Sequence, residues 1–130
     1  MGSKAFIRAT LISAGLLHTV TGVLMLAVPG WFYENVGTFP PYNRHYTGDL
    51  GAFQIPLGLG LLWAAREPER HRLVLAMAVL ANIIHVLNHL YDDVQGDTLL
   101  STQSVSLIVF TGFLIAALWL QQARTVTHTT

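Results

Sequence analysis

Six histidines and seven carboxylates are spread over 130 residues, and their spacing is selective. Asn82, His85, His89 and Asp92 step by three, four and three positions, which stacks them along one face of a helix. His45 and Asp49 stand one helical turn apart in the same way. Imidazole and carboxylate are ligands for zinc, iron and copper, and His-x3-His on a helix presents two imidazoles together. Asp49, His85 and His89 are thus a candidate two-histidine, one-carboxylate metal site, with His45 or His18 as a further ligand. Asp92, Asn88 and Asn82 are the neighbours that would orient those ligands. The same residues leave two other readings open: a metal-free polar or proton-relay site, and helix packing, in which an interhelical hydrogen bond averages about 0.6 kcal/mol. A b-type haem between His18 and His85 is a further alternative, one for which four short helices leave little room.

The elements that position these residues follow from the distribution of charge. Only 11% of the chain is charged and 52% is hydrophobic, whereas soluble domains carry roughly 25% charged residues. The few charges separate four long stretches, Ala9 to Val28, Tyr46 to Ala65, Leu73 to Tyr91 and Leu99 to Gln122, of which only the second contains a formal charge, Asp49. Each approaches the roughly 20 residues a transmembrane helix needs, and none shows the charged face of a soluble bundle. The prediction is an all-α, four-transmembrane-helix bundle forming one integral membrane domain over 1–130, with helices at about 5–29, 45–65, 69–92 and 99–122.

Orientation follows from Lys and Arg. Lys4, Arg8, Arg66, Arg70, Arg72 and Arg124 fall in segments on one side of such a bundle, and Arg44 alone on the other. Both termini are therefore expected in the cytoplasm of a bacterial plasma membrane. Trp63 and Trp119 would mark the inner interface, and Trp31, Tyr33, Tyr42, Tyr46 and Tyr91 the outer one. At about 1.5 Å per residue, His18 lies near the midplane, His85 about 4 to 5 Å outside it, and Asp49 level with His89 roughly 10 Å outside. An ionisable group within a span costs roughly 2.5 to 3.5 kcal/mol on insertion scales, so the polar stripe is expected to face the bundle interior.

Composition also excludes functions. The seven cations and seven anions cancel, so no field recommends nucleic acid. With no cysteine there is no thiolate ligand, thiol nucleophile or disulfide exchange. The first apolar run is too long for a signal-peptide core and no A-x-A-like site follows it. Met1-Gly2-Ser3 has Phe6 where a myristoylation signal has Ser or Thr. The aromatic, Pro-rich connection Pro29 to Arg44 is expected to fold back on the outer membrane surface as a lid. Asp92 to Thr98 is expected as a short acidic loop, Pro68 in the first turn of the third span, and Thr125 to Thr130 as a polar tail. Gly48, Gly51, Gly58 and Gly60 with Pro56 suit close helix packing, or a loosened turn that admits a ligand below Asp49.

The runs His45-Tyr46-Thr47-Gly48-Asp49-Leu50-Gly51-Ala52-Phe53 and His85-Val86-Leu87-Asn88-His89-Leu90-Tyr91-Asp92 resemble a pattern in small four-helix bacterial membrane proteins, mainly actinobacterial, uncharacterised and loosely DoxX-like. The resemblance covers roughly Asn43 to Asp93. It implies an integral membrane bundle and no particular activity. Where that pattern often has Arg before the Asp of the second helix, this chain has Gly48.

The expected function is a multi-pass membrane protein with a His/Asp site for Zn, Fe or Cu in the outer half of the bundle, a metalloenzyme for a lipid-like or small apolar substrate. The alternatives are a non-enzymatic accessory subunit, paired with a membrane-protein partner or a second copy of itself, and a transport element for protons or small solutes.

Overall fold

The computed structural model describes the backbone of residues 2–127 and the surroundings of side chains from Gly2 to Ala123. Five helices follow one another: α1 (Gly2–Ala27), α2 (Pro29–Asn35), α3 (Arg44–Ala64), α4 (Arg72–Gln95) and α5 (Thr102–Thr127), with no strand among the described residues. Three of them, α1, α4 and α5 over Thr102–Ala123, are long and apolar enough to cross a membrane. Their outward side chains, such as Leu73 (73% exposed) and Trp119 (65% exposed), are consistent with contact to lipid. At 21 residues α3 has comparable length, about 31 Å, but Asp49, Gln54, Pro56 and its glycines dilute its apolar character. It matches the expected four spans by length alone.

Four local expectations are revised. Within the predicted loop after α1, Val28 leaves the helical region (φ −137°, ψ 57°) and Pro29 starts the extra helix α2, as suits a residue with no N–H to satisfy. Pro68 does not open α4: it lies in a turn closed by Arg70 N–H to Glu67 O at 3.1 Å and His71 N–H to Pro68 O at 3.2 Å. At the other end α4 runs through Asp92 and Asp93 to Gln95, because Asp93 is turned inward to a structural task. Thr125 to Thr127 continue α5, and the rest of the expected tail, from His128 on, lies outside the described residues.

The chain divides into two compact units, one containing residues up to Leu11 and from Ala64 on, the other Ile12–Trp63. In the first, α4 and α5 pack antiparallel. Leu75, Ala78, Val79 and Asn82 are buried on α4, and Ser104, Thr111, Leu114, Ala117 and Gln121 on α5; steps of three and four put each set on one face. Both ends are tied. The Gln121 side-chain amide donates to the Pro68 carbonyl. At the far end the buried Asp93 carboxylate accepts the Ser101 N–H at 3.0 Å, while Ser101 Oγ accepts the Ser104 N–H at 3.2 Å as the cap of α5. Asp93→Ala should therefore lower the midpoint of unfolding by SDS in mixed micelles, with Asp93→Asn, which keeps an acceptor oxygen, losing less. In the connecting turn Asp97 has φ 52°, a left-handed conformation that costs a residue with a Cβ about 1 kcal/mol or more. Asp97→Gly should raise stability by about 0.5 to 1 kcal/mol in that assay.

The second unit is organised around a glycine seam. Gly15 and Gly22 of α1 meet Gly58 and Gly51 of α3 in antiparallel order, seven residues apart on both helices. A Cβ on Gly22 would stand 2.9 Å from the Gly51 carbonyl oxygen, and one on Gly51 would stand 2.7 Å from that of Gly22. Backbones approach this closely only where no side chain intervenes. Midway between the two crossing points, His18 Nδ1 is hydrogen-bonded to Gln54 Oε1.

Candidate functional site

On α4, His85 and His89 have the spacing that lays one ring over the next turn. Their centroids are 4.8 Å apart with an interplanar angle of 61°, and the two Nε2 atoms converge to 3.2 Å. One turn further, Asn88 Nδ2 donates to Asp92 Oδ2 at 3.3 Å. Asn82 does not join them: it is buried and donates to the Ala78 carbonyl of its own helix at 2.9 Å. The four-residue stripe, expected to face an interior, thus resolves into a histidine pair, an Asp92 paired with Asn88 from outside the stripe, and a packing Asn82, the one member of the four that is buried.

On α3 the first turn is held by Asn43, whose Oδ1 accepts the N–H groups of His45 at 2.9 Å and Tyr46 at 3.3 Å. His45 projects from this capped turn. Its Nε2 lies 3.4 Å from Asp49 Oδ2, and its ring lies 6.3 Å from that of Tyr46 at 30°. Both side chains of the pair are exposed, 81% and 57%.

His18 is buried in the glycine seam, with Nδ1 engaged by Gln54. Sequence reasoning singled out His18 and missed its partner, although a lone amide inside an apolar stretch was the available signal. It also missed Gly15 and Gly22, whose spacing of seven matches that of Gly51 and Gly58. Asp93 falls in the stretch expected as a short acidic loop, and only the return of α5 gives it Ser101.

Chemically, two pairs are preorganised. Two ligand atoms bound to one ion at 2.0 to 2.1 Å are separated by about 2.9 Å at a right angle and about 3.3 Å at the tetrahedral angle. The His85–His89 separation of 3.2 Å falls within that interval, and the His45–Asp49 separation of 3.4 Å stands at its edge. Among the described residues no three His, Cys, Asp or Glu side chains come together as a group able to hold a metal ion. Asp49, expected from the spacing to join His85 and His89, pairs with His45 on α3, and the two histidines pair with each other on α4.

Among the described residues, these features define an all-helical chain with three apolar helices of membrane-spanning length and two one-turn side-chain pairs, His85–His89 and His45–Asp49. Comparison of the chain with known protein families, with characterised proteins and with solved structures gave no match.

Proposed function

We propose that this chain is a four-span membrane protein, with both ends cytoplasmic, that binds a divalent transition metal ion through His85 and His89. The observation that carries the reading is the convergence of their Nε2 atoms to 3.2 Å on one face of α4. Neutral imidazole suits zinc, copper and iron, and among divalent ions copper binds nitrogen donors most strongly. Two protein donors leave coordination positions open for water or substrate, and a third protein donor would complete the set usual in catalytic zinc sites. Bound there, the ion would supply Lewis acidity and a water deprotonated near neutral pH. The chain's own contribution is orientation, from the rigid α4 turn and from the Asn88–Asp92 pair one turn away. The apolar helix on which the pair stands favours a lipid-like or small apolar substrate.

The test is metal stoichiometry in protein purified in detergent and equilibrated with zinc, copper or iron. About one ion per chain, lost when both histidines become alanine, supports the reading; substoichiometric metal unchanged by that double substitution overturns it. Asp49→Asn, measured in parallel, asks whether the carboxylate that sequence depth places level with His89 is a ligand. A drop in affinity makes it one, and unchanged affinity assigns Asp49 to its pair with His45.

A further inference from the structure

We propose that α2 and the segment following it form an interfacial anchor that lies in the phospholipid headgroup layer at the C-terminal end of α1. The proposal rests on the membrane-spanning reading of α1 and on no metal. Only Val28 separates the two helices, so α2 begins where α1 reaches the membrane boundary. The exposed apolar side chains of α1, Val20, Val23 and Leu26, continue without interruption into Val28 and Trp31. The lipid-facing surface of the span thus runs on into α2.

The chemistry of the segment sets its depth. Residues 29–43 carry Trp31, Phe32, Tyr33, Phe39 and Tyr42, with Glu34 as their only charge. Trp and Tyr concentrate at membrane interfaces because their rings are apolar and their N–H or O–H groups need partners. Glu34 and Asn35, three and four positions after Trp31 and exposed like it, share its side of α2. A carboxylate there excludes the hydrocarbon core, and the indole beside it disfavours bulk water. The headgroup layer satisfies both.

The segment is also prefolded for this role. Phe32 is buried beneath it, and its carbonyl accepts the Gly37 N–H at 3.1 Å. Thr38 Oγ1 donates to the Tyr33 carbonyl at 3.0 Å, and the Tyr33 and Tyr42 rings lie 5.0 Å apart. Phe39, 65% exposed, stands between these fixed points. Little ordering is left to oppose insertion.

The test uses a chain in which Trp63→Phe and Trp119→Phe leave Trp31 as the single indole, reconstituted into phosphatidylcholine vesicles. Blue-shifted emission, with stronger quenching by lipids brominated near the headgroup than by lipids brominated near the acyl terminus, is expected. Full quenching by aqueous iodide and none by either lipid overturns the proposal, as does stronger quenching by the deep bromines. A companion chain keeping only Trp119 separates the two claims: if Trp119 also behaves as a water-exposed indole, the membrane reading itself fails. Should the double substitution misfold, the absence of cysteine allows Phe39→Cys to be spin-labelled as a unique site. Protection from a water-soluble nickel reagent together with access to oxygen is then expected, and nickel access equal to that of a free label overturns the proposal.

Discussion

His89→Ala is expected to lower the affinity of the purified protein for zinc or copper by at least about 100-fold, the largest functional effect of any single substitution at this site. Losing a group that merely orients a ligand costs about 10- to 100-fold, and His89 is proposed as one of only two protein donors. Its removal leaves His85 as a monodentate ligand with no chelate partner on α4, so His85→Ala should match it. His71→Ala, at the residue that precedes α4, should leave binding unchanged. Asn88→Ala and Asp92→Ala should fall between these limits, because the Asn88–Asp92 hydrogen bond acts one turn away from the ligand atoms. Isothermal titration in detergent, repeated across pH, checks the set. Affinity should weaken on acidification, since protons compete for the lone pairs the ion uses. Equal affinities for wild type and His89→Ala would exclude the pair as the binding element.

Gly58→Ala is expected to cost about 1 to 3 kcal/mol, and Gly58→Leu more. A Cβ at position 58 would stand 2.5 Å from the Thr19 amide nitrogen and 2.7 Å from the Gly15 carbonyl oxygen. Both are backbone atoms of α1, which cannot move aside as the tip of a side chain can. The helices would have to separate, loosening the His18–Gln54 hydrogen bond that lies between the two glycine crossings. Gly112→Ala is the matched control: a Cβ there meets nothing within 4 Å, and alanine should gain up to about 1 kcal/mol from helix propensity. Unfolding by SDS in mixed micelles measures both. A Gly58→Ala protein as stable as wild type would show that the seam tolerates a wider separation.

The two sets of expectations explain why parts of the molecule were legible from its sequence and others were not. Apolar runs of about twenty residues have few alternatives to a helix, since a backbone in lipid must satisfy its own hydrogen bonds. The helical character of α1, α4 and α5 therefore follows from composition. The His85–His89 and His45–Asp49 pairings were legible for a related reason: within one helix, three and four residues is a distance as well as a spacing. The short helix α2 was not, because the signal for it is a single proline after the helix interruption at Val28.

Contacts between helices obey no such local rule. Sequence placed Asn82 in one stripe with His85 and His89, yet its side chain turns back to Ala78. It gave Asp92 a place beside the site and Asp93 none, yet Asp93 holds the N–H of Ser101. It marked His18 as a spare ligand, whereas the crossing of α1 over α3 brings Gln54 to its Nδ1. Periodicity and charge alone determined that this protein is helical, that most of its length suits lipid, and that its histidines and carboxylates come in pairs one turn apart. Only the tertiary structure decided which glycines let backbones touch, which carboxylate is structural, and which amide His18 meets. The reason is physical: a helix imposes its geometry within a few residues, while packing depends on groups tens of residues away that no local pattern encodes.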